Sequence, residues 1–360
     1  IDGTYLVLAN HNNNVDPFLC ALSFPRQMYF LAGEQVFRMG FLTWFLRTFF
    51  DPISKIKGKK DATAIILLMK HLKAGHNCCL FAEGNRSFTG ETGEIVRATG
   101  KLVKATGVSL VTYRFEGGYL TTPRWAYTKR KGYFKGGVVK VYSPEEIQKM
   151  SLDEINKIIN SDLYENAYKR QEIKYSIYKG KRLAEGIEAV LYSCPVCKSV
   201  GTIVGKKNKC LCSNCGKVAI YTEQGLLEGD FPFKTILDWD KWQQKELERN
   251  TIKALETQDR DNVLAEDTDL ILSKITSDHK AFKIEEGTLS LFIDRIQIGK
   301  QSFLLSSLED LSIFFRNTMV FSITSGENYE VVSKSFKNAT KYIAIYKTIK
   351  SWEQKEKEAK

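Results

Sequence analysis

The sequence predicts an α/β domain with a central sheet flanked by helices, then a small unit built on paired cysteines, then a β-rich domain with a C-terminal helix. Three observations predict it. Up to about residue 142, short apolar runs alternate with stretches of helical periodicity, the pattern of strands crossed by helices. Two Cys-x-x-Cys pairs, Cys194-Pro195-Val196-Cys197 and Cys212-Ser213-Asn214-Cys215, then stand 14 residues apart. From about 278 onward, short β-rich runs follow one another until a final helical stretch.

Taken in order, Tyr5-Leu6-Val7-Leu8-Ala9 reads as a short buried strand. It stops at Asn10-His11-Asn12-Asn13-Asn14-Val15-Asp16-Pro17, an asparagine-rich turn. An imidazole and a carboxylate at a strand end suit catalysis. Equally, Asp16 could cap a helix that starts at Pro17; the stretch alone leaves both readings standing. Met28 to Leu31 is a second strand. Residues 34 to 50 are rich in Phe and Trp, with Arg38 and Arg47 as the cations, and read as a core helix or as an aromatic helix at a membrane interface or lining an acyl tunnel. Pro52 to Lys60 then gathers four lysines, in a solvated turn or a phosphate-facing loop.

Residues 61 to 74 form a helix with Asp61 as its cap, and His71 and His76 are ordinary surface residues. Cys78-Cys79-Leu80-Phe81 is the next strand, running into Ala82-Glu83-Gly84-Asn85-Arg86-Ser87. There Glu83 and Arg86 can orient each other, and Gly84 lets backbone N–H groups approach an anion. Lys101 and Lys104 flank a helix, Val108 to Tyr113 is a strand, and 133 to 142 is a strand or hairpin closing the domain. The polar stretch 144 to 170 is helical, with Pro144-Glu145-Glu146 a good start.

Composition bounds the function. Hydrophobic residues make up 43% of the 360, enough for a sizeable core, and the length suggests two or three domains. No uninterrupted apolar run is long enough for a transmembrane helix, which needs about 18 residues. The chain opens on Ile1 and almost at once on a strand, so it reads as a fragment whose leader lies outside this sequence. Residues 1 to 142 hold 20 Lys and Arg against nine Asp and Glu, while the remainder has 33 of each sign. A basic first domain attracts phosphates on a nucleic acid, an anionic lipid or a small substrate. Cys20, Cys78 and Cys79 fall in or beside apolar runs and read as buried small residues, so no disulfide framework is expected.

Together, the two strand-end turns resemble the glycerophospholipid acyltransferase family, which includes the lysophosphatidate and glycerol-3-phosphate acyltransferases. Its first hallmark is a His and an Asp separated by four residues, as in His11 and Asp16. Its second, Phe-Pro-Glu-Gly-Thr-Arg-Ser, is similar to Phe81 through Ser87, and the 72-residue separation of His11 and Glu83 suits the family. The resemblance implies that His11 is the general base for an acceptor hydroxyl attacking an acyl thioester, with Asp16 orienting the imidazole. It further implies that Glu83, Gly84, Asn85 and Arg86 form the acceptor's phosphate site. Lys55 stands where the family offers an Arg, keeping the charge but losing the fork. Ala82 and Asn85 replace the usual Pro and Thr, and Val108 to Val111 lacks the proline of the fourth motif. The resemblance covers about residues 1 to 145. The implied reaction makes phosphatidic acid from 1-acyl-sn-glycerol-3-phosphate, with acyl-coenzyme A or acyl-carrier protein as donor. The expected location is the cytoplasmic face of an anionic membrane, peripheral or monotopic. A different acceptor, glycerol-3-phosphate or a lyso-aminolipid, is the alternative.

The paired cysteines Cys194, Cys197, Cys212 and Cys215 have the spacing of a four-thiolate structural zinc ribbon, with Cys210 a spare that could compete with Cys212. A redox motif would need only one such pair. A zinc-ribbon nucleic-acid-binding protein is the competing class. Against it, the excess charge lies in the first domain, although Lys206, Lys207 and Lys209 are locally basic. Residues 238 to 275 read as helical. The strands Gly287 to Ile293, Phe303 to Leu305, Leu311 to Phe315, Met319 to Ile323 and Tyr329 to Val332 follow, then a helix with Ala339, Tyr342, Ile343 and Tyr346 on its apolar face. This order resembles a pleckstrin-homology (PH) or GRAM-like domain. The tail Glu353 to Lys360 is charged and expected to fray. The domains so expected are an acyltransferase domain over 1–170, a zinc ribbon over 190–220, a helical linker over 236–276 and a PH-like domain over 278–352.

Overall fold

The apolar run at the start forms β1 (Tyr5–Ala9), buried at every position. The computed structural model describes residues 1–33, 37, 40–49, 51–55, 62–276, 278–333 and 337–358. It divides into two compact units, the first comprising Ile1–Lys55, Asp61–Lys181 and Glu223–Gly225.

In that unit β1 is followed by α1 (Asp16–Leu22), β2 (Met28–Gly33), α2 (Phe41–Phe49), β3 (Ile53–Lys55), α3 (Ala62–Lys73) and β4 (Asn77–Phe81). Then come α4 (Ala98–Thr106), β5 (Ser109–Glu116), α5 (Gly118–Thr121), β6 (Lys135–Tyr142), α6 (Pro144–Lys149), α7 (Leu152–Leu163) and α8 (Ala167–Ile173). The strands make one sheet in the order β3-β2-β4-β1-β5-β6, parallel except for β6. Successive side chains of β1 point to opposite faces. Leu6 and Leu8 join Leu68, Leu72, Val103, Ile155 and Ile159 on one side. Tyr5, Val7 and Ala9 join Cys20, Cys79, Val111 and Phe115 on the other. A strand covered on both faces is apolar throughout, which is why β1 shows no alternation in sequence.

Because β4, β1 and β5 are adjacent and parallel, their carboxyl ends lie side by side. The turns that follow them, at 82–87, 10–16 and 117–124, therefore come together at one edge, where open α/β sheets carry their sites.

Several local expectations change. The stretch 144–170 is three helices, because Ser143 and Ser151 each close a capping box, with Glu146 and Glu154. Lys101 and Lys104 lie within α4. His71 and His76 are paired, not isolated: their Nδ1 atoms are 3.3 Å apart, and both rings pack on Tyr29. Of the aromatic stretch, α2 occupies Phe41–Phe49, while residues 34–36, 38–39 and 50 lie outside the described residues. Asp61, Lys57, Lys59 and Lys60 also lie outside them.

The second unit includes Arg182–Thr222 and Leu226–Lys360. In it β7 (Ile203–Lys206), β8 (Lys209–Cys212), β9 (Val218–Tyr221) and β10 (Leu227–Gly229) form an antiparallel sheet in the order β10-β9-β8-β7. Helix α9 (Ile236–Thr257) follows, then β11 (Ala265–Ile275), β12 (Ala281–Leu291), β13 (Arg295–Ile298), β14 (Gln301–Leu304), β15 (Leu308–Phe314), β16 (Thr318–Ile323), β17 (Asn328–Val332) and α10 (Ala339–Glu358). These strands form a seven-stranded sheet in the order β14-β13-β12-β11-β17-β16-β15.

The expected helical stretch 238–275 is thus wrong beyond Thr257. Residues 265–275 are a strand, and its irregular register between Asp267 and Leu270 breaks the alternation that would have revealed it. Strand β13 was also missed, and the tail stays helical to Glu358. Among the described residues no helix is long and apolar enough to cross a membrane.

Candidate active site

His11 sits two residues beyond the end of β1, after Asn10. Its Nδ1 lies 2.9 Å from Oδ2 of Asp16, and that oxygen also accepts the backbone N–H groups of Asn12 and Asn13, each at 2.7 Å. Asp16 is 0% exposed, so a buried carboxylate is held by three converging donors. Hydrogen bonds of this kind let a carboxylate remain in the interior. The expectation that Asp16 caps the helix is corrected: α1 begins at Asp16 itself, and the carboxylate turns back to the preceding loop.

The asparagines explain how this turn holds its shape. Asn10 is hydrogen-bonded to Phe115 in both directions: its Nδ2 donates to the carbonyl at 2.9 Å and its Oδ1 accepts the N–H at 2.7 Å. Asn12 Nδ2 donates to the same carbonyl at 2.9 Å, and Asn13 Nδ2 donates to Thr121 Oγ1 at 2.9 Å and to the Gly118 carbonyl at 3.2 Å. All three asparagines are buried. They continue the bonding to β5 where β1 has ended, and they tie the His11 turn to the third turn.

The second turn holds His11 from the other side. The His11 N–H donates to Glu83 Oε1 at 2.7 Å, and the His11 carbonyl accepts the Ser87 N–H at 3.1 Å. The imidazole stacks on Phe81 with ring centres 4.4 Å apart. Glu83 Oε2 accepts the Gly93 N–H at 2.6 Å. Burial drives the Glu83 pKa up to about 8, against the two backbone donors and with help from Asp16. Each Glu83 oxygen thus accepts a backbone N–H, one of them that of His11. Gly84 is likewise committed, its N–H donating to the Phe81 carbonyl at 3.0 Å; its left-handed φ of +68° makes the turn. Asn85 follows on the same turn. Arg86 Nη1 reaches the Thr122 carbonyl at 3.4 Å, toward the third turn. Lys55 ends β3 opposite Gly33, and its side chain lies outside the described residues.

Sequence reading missed the third turn, Gly117 to Arg124. Its signal resembled that of the other two: Gly117-Gly118 directly follow a strand, and a threonine pair and an arginine come next.

In the second unit, the Sγ atoms of Cys194, Cys197, Cys212 and Cys215 all lie within 4.8 Å of one another. The 194–215 and 197–212 pairs are 3.8 and 3.7 Å apart. Four sulfurs at ~2.3 Å from a tetrahedral ion would be separated by ~3.8 Å, so the set fits a four-thiolate metal. The two knuckles are built alike. Lys198 (φ 63°) and Gly216 (φ 72°) follow the second cysteine of each pair, donating to the carbonyls of Cys194 at 2.9 Å and Cys212 at 3.0 Å. Ser199 and then Asn214 pull the Cys197 thiol down to about 5, while burial pushes Cys194 up to about 12. Cys210 is buried outside the cluster and does not compete with Cys212.

A search of curated proteins gives no match. Among solved structures, the chain is similar to the crystal structure of the 1-acyl-sn-glycerophosphate (LPA) acyltransferase PlsC from Thermotoga maritima. Identity there is 22%, 48% of this chain and 68% of that chain are covered, and the TM-score is 0.41. It is also similar to the solution structure of the N-terminal PH domain of human ARAP2, at 14% identity over 24% of this chain and 81% of that one, with a TM-score of 0.19. The Acyltransferase family model matches residues 2–116, the segment from β1 through β5 that holds both the His11–Asp16 pair and the Glu83–Arg86 turn. Over residues 2–116, about a third of the chain, the sequence is therefore similar to the Acyltransferase family.

Proposed function

We propose that the first unit esterifies the free hydroxyl of 1-acyl-sn-glycerol-3-phosphate with an acyl thioester, giving phosphatidic acid. The observation that carries this reading is the 2.9 Å contact from His11 Nδ1 to a fully buried Asp16 carboxylate. That contact directs Nε2 to proton transfer. As the acceptor hydroxyl attacks the thioester carbonyl, His11 takes its proton and the tetrahedral intermediate expels the thiolate. The imidazolium then returns the proton to the thiolate. Asp16 holds the imidazole in one orientation and offsets its positive charge. No enzyme nucleophile is required, because the acceptor supplies it. Acyl-coenzyme A and acyl-carrier protein share the thioester the reaction needs.

The membrane is read as the source of the acceptor, with peripheral attachment at the cytoplasmic face. The exposed residues Val15, Leu19 and Leu22 support this, since their i, i+4, i+7 spacing makes an apolar ridge that begins beside Asp16. Trp44 of α2, 57% exposed, offers a second apolar surface. In the second unit, Cys194, Cys197, Cys212 and Cys215 would hold a structural zinc ion that cross-links a sheet of short strands. Four thiolates leave it no open position for catalysis. Two meanders joined through β11 and β17, followed by α10, support a PH-like reading of the rest of this unit.

The test is acyl transfer to a panel of acceptors, namely lysophosphatidate, glycerol-3-phosphate and lyso-aminolipids, with products identified by mass spectrometry. Lysophosphatidate is expected to be preferred, and His11→Ala to abolish turnover in a folded protein. Undiminished turnover in that variant refutes the mechanism.

A further inference from the structure

We propose that helix α9 is part of the metal site in the second unit: Gln243 and Trp239 hold the backbone of the first cysteine knuckle and so set the ion's affinity. The proposal rests on the reading of Cys194, Cys197, Cys212 and Cys215 as zinc ligands.

In sequence α9 reads as a linker beyond the last cysteine. Thr235 caps it, its hydroxyl accepting the Asp238 N–H at 3.0 Å, and this phases the first turns. Trp239, Trp242 and Gln243 then share one face by their i, i+3, i+4 spacing. Trp239 and Gln243 are both 0% exposed. The Gln243 side-chain oxygen accepts the N–H groups of Tyr192 at 3.0 Å and Ser193 at 3.3 Å. Its Nε2 donates to the Val190 carbonyl and to Asp240 Oδ1, each at 2.7 Å. Trp239 Nε1 donates to the Ser193 carbonyl at 2.8 Å, and Lys198 Nζ lies 4.4 Å from the centre of the Trp242 ring.

These bonds meet the backbone where it enters the site. Ser193 pairs with Val200 in a single antiparallel bridge. The bridge's hydrogen bonds run through its neighbours: Cys194 N–H donates to the Ser199 carbonyl at 2.9 Å and Gly201 N–H to the Tyr192 carbonyl at 2.7 Å. The N–H and carbonyl of Ser193 therefore face outward, and α9 meets both, together with the Tyr192 N–H. The second knuckle is held by the ribbon's own main chain. Its Cys212 N–H donates to the Lys217 carbonyl at 2.9 Å, and its Ser213 N–H donates to the Thr202 carbonyl at 2.8 Å. One knuckle is thus shaped locally, and the other takes its shape from side chains 46 to 51 residues further on. Four sulfurs reach one ion only when both knuckles are in register, so groups that fix the first favour the bound state. Supporting hydrogen bonds of this kind contribute about 10- to 100-fold in metal affinity.

In the full chain under reducing conditions, zinc affinity is measured by competition with a chromophoric chelator, and circular dichroism checks the fold of each loaded variant. Gln243→Met keeps the side chain's length and loses its amide; it is expected to weaken zinc binding about 10- to 100-fold. Trp239→Phe keeps an aromatic ring and loses one hydrogen bond, and should weaken it about 2- to 10-fold. Two controls separate positioning from stability alone. Gln244→Met changes an exposed neighbour and should leave the affinity within about twofold. Leu255→Ala opens a buried position about three turns further along the same helix. It should lower the melting temperature yet hold the affinity within about twofold, because apparent affinity falls only with the fraction of competent protein. With cobalt in place of zinc, the visible band of the tetrahedral thiolate site should change in Gln243→Met and not in Leu255→Ala. Zinc affinity unchanged in both Gln243→Met and Trp239→Phe overturns the proposal and leaves the four cysteines as ligands. Equal weakening in Leu255→Ala overturns it as well, since stability alone would then govern the metal. A wild type that binds no zinc overturns the metal reading instead.

Discussion

Asp16 is the residue at which shape and charge can be separated. Three donors converge on its Oδ2: His11 Nδ1 at 2.9 Å and the backbone N–H groups of Asn12 and Asn13 at 2.7 Å. Asp16→Asn keeps the shape and removes the charge. An asparagine could in principle turn its NH2 toward His11 and lock the wrong tautomer, which in a serine-protease triad costs ~10⁴ in kcat. Here that orientation would set the NH2 against two backbone N–H groups, so the carboxamide oxygen stays where Oδ2 was. The loss is then limited to the charge on the hydrogen bond, ~1.5–3 kcal/mol, or about 10- to 150-fold in kcat. The NH2 falls at the Oδ1 position, which is buried and makes no hydrogen bond among the described residues. Its presence there adds a stability cost of ~1–3 kcal/mol. Asp16→Ala strands both backbone donors and should cost about 2–6 kcal/mol on the same scale. The assay is release of free coenzyme A at saturating substrates, beside a thermal melt of each variant. An Asn variant with wild-type kcat, or one as inactive as His11→Ala, would refute the reasoning.

Three further outcomes are expected. Glu83 has its folded-state pKa raised to about 8, above the ordinary carboxylate value of 4.5, so its contribution to stability is complete below 4.5 and is lost as pH rises through about 8. Between pH 6 and 9 the wild-type melting temperature should therefore fall more steeply than that of Glu83→Gln; parallel curves would exclude this titration. Cys212→Ser should lose bound zinc, measured by elemental mass spectrometry, whereas Cys210→Ser should retain it, because Cys210 lies outside the four-sulfur cluster. Zinc content insensitive to Cys212 would remove it from the ligand set. The double change Leu19→Asp with Leu22→Asp puts charge on residues 37% and 83% exposed, so folding should be preserved while flotation with anionic vesicles weakens. Unchanged flotation would move the membrane contact elsewhere.

Local pattern carried much of this protein. The apolar runs at Tyr5–Ala9 and Cys78–Phe81 lie in strands with core on both faces, and a turn carrying polar residues follows each. His11, Asp16, Glu83 and Arg86 stand out in the sequence because polar groups directly after such runs must lie at a sheet edge. The Cys-x-x-Cys pairs were equally legible, since a knuckle is set by a few neighbouring residues. Residues 265–275 were not, because a strand with a register irregularity among acidic residues looks, residue by residue, like a polar helix.

Tertiary structure decided which groups meet. That Glu83 accepts the His11 N–H follows from placing β4 beside β1. That Asn10, Asn12 and Asn13 are anchors follows from β5 lying on the other side. Arg124 of the third turn, whose Nη1 donates to the Arg86 carbonyl at 2.9 Å, is invisible to motif reading for the same reason. Arg86 lies 38 residues away in the chain, and only the sheet order β4-β1-β5 brings their turns together. The sequence by itself determined the chemistry available at each strand end; the parallel sheet decided which ends became one site.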